Sequence, residues 1–218
     1  KSGLAKNTLV MIYGDHYGLS DKDNKSLATL MNRSSDDWTA LDNMNLQRVP
    51  FMLHMDGLKG GIQTQYGGEI DVLPTLLHLL GINTNKYVLF GQDLMSSKLQ
   101  QLVAFRNNNF VTNKYTVLGG NGANGSVYDN ETGELLTELS PALTKQINQW
   151  QAEVDHALSL SDSLNMKNLL RFYTPSGFKP VDPSQFNYLD QVNELIQTRE
   201  KLKGKSTSLY SEKGKSTT

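Results

Sequence analysis

A chain of 218 residues, 38% hydrophobic and 20% charged, is long enough to bury one large core or two small ones. With a net charge of −1, nothing global points to nucleic acid or to an anionic membrane surface, and the absence of cysteine excludes disulfides, thiolate metal sites and a cysteine nucleophile. The longest apolar stretch, 72–82, is interrupted by Pro74, Thr75 and His78 and is too short to span a bilayer.

The first element is the run Leu9-Val10-Met11-Ile12-Tyr13, which shows no alternation and ends on Gly14-Asp15-His16-Tyr17-Gly18. Such a run predicts a strand buried on both faces, at the centre of a parallel sheet. Ligand sites in these sheets lie just past the carboxyl ends of strands. Asp15 supplies a hard oxygen and His16 an imidazole nitrogen, the donor types for zinc or manganese. Neighbours on a straight strand point to opposite faces, so the two can share an ion only if the backbone turns, which Gly14 permits. The same residues also suit a loop with a capping Asp and a surface His.

Residues 20–31 predict a short helix capped by Ser20 or Asp23, with Leu27, Leu30 and Met31 on one face. Residues 32–47 are polar around a lone Trp38 and read as a loop. Residues 49–55 predict a second strand, with Pro50 tolerated near its start. Glycines at 57, 60, 61, 67 and 68 mark a flexible loop. Asp71 is then expected to cap a helix that has Pro74 in its first turn and Gly81 just past its end. Its Leu73, Leu76, Leu77 and Leu80 are expected to pack on the sheet.

The character changes after Gly91. Residues 110–112, 115–118, 126–128 and 134–137 are short strand candidates joined by hairpin-type connections, which predicts an antiparallel meander. Gly119-Gly120-Asn121-Gly122 lacks a following helix start and so does not read as a phosphate cradle. Ser140-Pro141 opens a helix carrying Leu143, Ile147, Trp150, Val154 and Ala157 at helical spacing, a core stripe in which Trp150 is expected to be largely buried. Arg171-Phe172-Tyr173 reads as a returning strand. Residues 188–202 carry another helical pattern in Leu189, Val192, Leu195 and Ile196. From Arg199 onward six Lys/Arg face two Glu among Ser, Thr and Gly, which predicts a disordered basic tail.

Taken together, these segments resemble the extracellular catalytic domain of lipoteichoic acid synthases, sulfatase-like transferases of the alkaline phosphatase superfamily. The matching words are Tyr13-Gly14-Asp15-His16-Tyr17-Gly18, the stretch from Tyr66 to Ile82 around Asp71-Val72-Leu73-Pro74-Thr75-Leu76-Leu77, Phe90-Gly91-Gln92-Asp93-Leu94, Phe105-Arg106-Asn107 and Arg171-Phe172-Tyr173. Order and spacing agree over residues 7–186. The first word is specific for this branch, whereas the second is shared widely among sulfatase-like enzymes.

The resemblance implies an α/β fold: the C-terminal part of a sulfatase-like sheet domain over 1–97, a small antiparallel sheet-plus-helix subdomain over 98–202, and the tail over 203–218. It implies a metal-dependent phosphoglycerol transferase, in which a metal-activated threonine attacks phosphatidylglycerol and the glycerolphosphate passes to a growing polyglycerolphosphate chain. Asp15 and His16 fall on the family's metal pair, and the ion is usually manganese. The family's threonine nucleophile, a further Glu ligand, its substrate-holding residues and its membrane helices all precede that word. They are therefore expected in a missing N-terminal part of the same ectodomain, which leaves no catalytic residue here. The parent protein is expected to be anchored at the extracellular face of the cell membrane, with this part soluble.

His54 on the second strand is a weak substrate-binding candidate and reads better as a partly buried histidine beside Met52. His78 reads as structural, His156 as solvent-facing, and Arg106 and Arg171 as salt-bridging residues. Glu69 with Asp71 could form a carboxylate pair, but Asp71 is better explained as a cap. Two other readings stay open: a sulfatase or phosphodiesterase with water as acceptor, and a non-catalytic module that binds a wall polymer.

Overall fold

The apolar run does form a strand, β1 (Val10–Tyr13), but its surroundings differ from those predicted. The computed structural model describes residues 4–16, 19 and 21–201; Tyr17, Gly18, the Ser20 cap and the basic tail over 203–218 lie outside the described residues. β1 pairs antiparallel with β2 (Phe51–His54) in a two-stranded ribbon, Val10 opposite His54 and Tyr13 opposite Phe51. Val10, Ile12 and Tyr13 are about half exposed, so the expected central parallel strand is corrected to a ribbon strand open to water. Lack of alternation records that both faces are apolar and able to be buried; it does not supply the layers that would bury them.

The helix expected over 20–31 is broken into α1 (Asp21–Asn24) and two 3-10 turns, Lys25–Leu27 and Thr29–Met31, and stops where Asn32 takes a left-handed φ of 56°. The loop expected over 32–47 contains a helix, α2 (Ala40–Asn45). A capping box starts it: the Thr39 hydroxyl accepts the Asp42 N–H, and the Asp42 carboxylate accepts the Thr39 N–H at 2.7 Å. Asp42 also receives the Arg33 guanidinium, and the Trp38 indole N–H donates to Asn43 at 2.7 Å.

α3 (Val72–Leu79) is present, but Asp71 does not cap it with its side chain. The buried Asp71 carboxylate instead accepts the Gly68 N–H at 2.8 Å, closing the 3-10 turn Glu69–Asp71, and the Gln92 N–H at 2.7 Å. Thr75 donates to the Asp71 carbonyl at 2.7 Å and accepts the Leu94 N–H at 2.9 Å. The buried face of α3 is therefore Pro74 and Thr75, turned to the segment around 91–94, while Leu73 and Leu80 stand half exposed. Polar tethers, not the leucine stripe, set the helix's position. Gly91 passes so close to the Ile70 carbonyl that a Cβ there would overlap it.

Three of the four strands expected of the meander form, and Leu102–Ala104, which was not expected, supplies the fourth. β3 (Leu102–Ala104), β4 (Phe110–Thr112), β5 (Tyr115–Leu118) and β6 (Ser126–Asp129) make a four-stranded antiparallel sheet in sequential order. Residues 134–137 add only one bridge, Leu135 to Tyr128, rather than a fifth strand. α4 (Pro141–Met166) starts where Ser140 accepts the Leu143 N–H, and it lays Ile147 and Val154 on Phe110, Val117 and Val127 to form the core. Trp150 is largely buried, as expected, packed at the margin of this core and edge-on to Phe110 with centroids 6.4 Å apart. The buried Gln151 carbonyl accepts the Gly122 N–H at 2.9 Å, and its amide donates to Asn108 and Asp155. The glycine-rich loop is thus fastened to α4.

Residues 171–173 are not a strand. Asn168, at a φ of 48°, turns the chain after α4 into the 3-10 turn Leu169–Phe172, and the Tyr173 hydroxyl donates to the Lys86 carbonyl. The chain divides into two compact units, Lys1–Tyr173 and Thr174–Thr218; the second carries α5 (Leu189–Lys201). Among the described residues no helix is long and apolar enough to cross a membrane.

Candidate metal centre

β1 ends at Tyr13, and Gly14 prolongs the ribbon by donating its N–H to the Pro50 carbonyl at 3.1 Å. The Val49 Cβ would lie 2.5 Å from a Cβ on Gly14, so the chain can leave the strand here only as glycine. Asp15 and His16 follow, with 79% and 84% of their side chains exposed, and Asp15 Oδ1 lies 3.9 Å from His16 Nε2. Ligand bonds to zinc-like ions are about 2.0–2.2 Å, so one ion can touch both atoms. The turn expected at Gly14 therefore brings the two neighbours together. Their donor chemistry, one carboxylate oxygen and one imidazole nitrogen, fits a divalent metal. Among the described residues no cluster of three or more His, Asp or Glu surrounds a common point, so the pair furnishes two ligands of the usual three or four.

The pair stands on the rim of an open cleft of about 1230 Å³. The ribbon forms one wall and the glycine-rich loop of residues 58–69 another, with Val72, Leu94 and Val103 beneath. The loop is less free than its glycines suggest. The Tyr66 N–H donates to Gln101 at 2.9 Å, the Gln65 amide donates to the Leu94 carbonyl at 3.2 Å, and Asp71 holds Gly68. Gln65 and Gln101 lie outside the quoted motifs, and only Asp71 stood out in the sequence; its burial reveals its work as a loop clamp.

The other candidates scatter. His54 lines the same cleft but pairs with Val10 at the far end of the ribbon, three residue pairs, or about 10 Å, from Tyr13. Its side chain is exposed rather than partly buried. His78 is tied to the 91–94 segment by a 2.5 Å contact between Nδ1 and the Asp93 carboxylate. His156 faces solvent. Glu69 is exposed while Asp71 is buried on backbone amides, so they do not act as a carboxylate pair. Arg106 Nη2 donates to both Asp162 carboxylate oxygens, at 2.7 and 2.8 Å, and this hydrogen bonding with the carboxylate's charge raises the guanidinium's pKa further above its ordinary value. Arg171 lies over the Phe172 ring, 4.5 Å from its centroid.

Residues 1–82 match the family model described as Sulfatase. The chain is 43% identical over 188 residues to lipoteichoic acid synthase 1 of Bacillus subtilis (strain 168), a match covering 86% of this chain and 27% of that protein. It is 39% identical over 188 residues to the lipoteichoic acid synthase of Staphylococcus aureus (strain USA300), with the same 86% and 27% covered. The crystal structure of the lipoteichoic acid synthase LtaP from Listeria monocytogenes aligns with a TM-score of 0.53 at 24% identity, over 72% of this chain and 40% of that one. That likeness concerns the fold alone, and it agrees with the mixed, sulfatase-like α/β architecture expected from the sequence. The matched region spans 27% of the length of either curated relative.

Proposed function

We propose, for a chain that belongs to the lipoteichoic acid synthase family, that it is the C-terminal part of a metal-dependent phosphoglycerol transferase. The whole enzyme would build polyglycerolphosphate from phosphatidylglycerol through a threonine-bound intermediate, at the extracellular face of the membrane that anchors it. The nucleophile and the remaining metal ligands would come from the preceding part of the same ectodomain. The observation that carries this reading is the Asp15–His16 pair, 3.9 Å apart beyond the end of β1.

Each residue here has a limited task. Asp15 and His16 would hold a divalent ion, manganese for this family, which supplies Lewis acidity toward a hydroxyl and phosphoryl oxygens. Gly14, packed on Val49, sets the turn that makes the two donors converge. Asp71 fixes Gly68 and so the loop that walls the cleft. His54, in the same cleft but remote from the pair, is a candidate contact for substrate rather than metal. In this division of labour residues 1–97 would carry the metal pair, the sheet-plus-helix region that begins at residue 98 would underlie the cleft, and 203–218 would be the basic tail.

The test has two arms. In the full-length enzyme, Asp15→Ala and His16→Ala each abolish polymer synthesis without changing the melting temperature. The 218-residue chain alone, given manganese and a chromogenic phosphodiester, shows no turnover, because removing a nucleophile removes the covalent route itself. Calorimetry on that chain finds only weak manganese binding, two ligands being an incomplete shell. Metal-dependent turnover by the isolated chain that vanishes in Asp15→Ala would place a nucleophile within these residues and overturn the division of labour.

A further inference from the structure

Arg48, His54 and Lys59 line the cleft beside the Asp15–His16 pair, and all three side chains stand in water. Among the described residues none of the three makes an ion pair or a side-chain hydrogen bond. Their places follow from the ribbon. Arg48 leads into β2 at the end where Gly14 delivers the metal pair: the Pro50 carbonyl accepts the Gly14 N–H, and Val49 packs on Gly14. His54 closes β2 at the other end, three residue pairs, or about 10 Å, along the ribbon. Lys59 comes directly after the turn that follows, in which the Leu58 N–H donates to the Met55 carbonyl at 3.0 Å. Of the other charged groups on the lining, Arg106 is held by Asp162, and Glu69 stands at the opposite end of the glycine-rich loop from Lys59.

We propose that Arg48, His54 and Lys59 form a track for an anionic chain of repeating phosphodiesters, laid along the ribbon from the metal pair to the far end of β2. This inference rests on the function proposed above and deepens it: the track would hold the polymer that receives each glycerolphosphate, as distinct from the lipid that gives it. Chemistry, distance and size each favour such a chain. An unpaired guanidinium, imidazole and ammonium are donors to phosphate oxygens, and cations on the wall of a cleft concentrate anions there. A single phosphate at the metal pair is too short to touch donors at both ends of β2, whereas phosphates strung on three-carbon bridges reach from one end to the other. The cleft, at about 1230 Å³, is also larger than the roughly 300–1,000 Å³ that encloses one small ligand. Val72, Leu94 and Val103 beneath it suit the uncharged carbon bridges between phosphates.

The test is calorimetry on the 218-residue protein in EDTA, titrated with glycerol 1-phosphate, with a 1,3-linked glycerolphosphate oligomer, and with polyaspartate of the oligomer's charge. The oligomer is expected to bind about ten-fold more tightly than either of the others, and less tightly as salt rises. Arg48→Ala and Lys59→Ala each weaken oligomer binding about ten-fold, the scale of one charge-assisted hydrogen bond, and His54→Ala weakens it too. Lys114→Ala, which removes a cation outside the cleft, leaves it unchanged. Circular dichroism checks that the variants keep their fold; Lys59→Ala, on the exposed loop, keeps the test usable if Arg48→Ala does not. Equal binding of monomer and oligomer, equal binding of polyaspartate, no binding of the oligomer, or binding unchanged in the Arg48 and Lys59 variants overturns the proposal. Neither metal nor turnover enters these readouts. Failure of oligomer binding with intact Asp15-dependent synthesis therefore refutes this inference alone, and the converse refutes only the proposed reaction.

Discussion

Val10, Ile12 and Tyr13 on β1 are as apolar as Phe110, Val117 and Val127 of the C-terminal sheet, yet the first group stands about half in water and the second is sealed from it. The difference is architectural. β4 and β5 have a strand on each side, β6 pairs with β5 and is bridged to Leu135, and α4 covers the sheet with Ile147 and Val154. β1 has one neighbour, β2, and an open cleft beside it. The comparison teaches that equally apolar strands differ in burial according to the layer laid over them: α4 seals one sheet, and the ribbon faces a cleft.

The contrast can be broken at several points. The largest effect is expected from Phe110→Ala, which empties the centre of the sheet-helix core and should cost about 3–5 kcal/mol in urea unfolding of the chain. Gln151→Ala comes next. It strands the Gly122 N–H and the Asn108 carbonyl beneath the loop and should cost about 1–3 kcal/mol by the same measurement. On the ribbon, Ile12→Ala should change stability by no more than about 0.5 kcal/mol, because its side chain is already half solvated. A loss there comparable to that of Phe110→Ala would show that the ribbon is covered in solution and would erase the contrast.

The smallest effect is one of pH. Asp129 accepts the N–H groups of Thr132 and Glu131 at 3.0 and 2.9 Å, and these bonds, that of Thr132 first, lower its carboxyl pKa. A group depressed in the folded state contributes stability that is complete above the unfolded carboxylate value of about 3.9 and is lost as pH falls through the lower folded value. Asp129→Asn should therefore reduce the acid sensitivity of melting at low pH and leave the profile near neutrality flat.

Most elements were legible in the sequence, and the misses share a cause. The run from Leu9 revealed a strand but not its neighbour, since apolarity states what could be buried and not what is present to bury it. α2 escaped because residues 32–47 have no apolar period, although Thr39 with Asp42 three residues on is a capping box with Asp in place of Glu. Residues 171–173 look like a strand by composition, and local geometry after Asn168 overrides it. At the site, Asp15 and His16 were visible as a pair, and Gly14 as the turn that joins them. The clamp of Asp71 on Gly68 and Gln92 was hidden because a buried carboxylate serving backbone amides and a helix cap look identical in one dimension.

Gly91 carries a lesson for heredity. Every missense change in a glycine codon installs a residue with a Cβ, and at this position every such Cβ runs into the Ile70 carbonyl. The codon has silent neighbours and harmful ones, with nothing between. In a population of randomly mutated genes, missense alleles at Gly91 should be purged as strictly as those at Phe110, although Gly91 has no side chain to bury. Selection at the one site would preserve a volume that is filled, and at the other a volume that must stay empty.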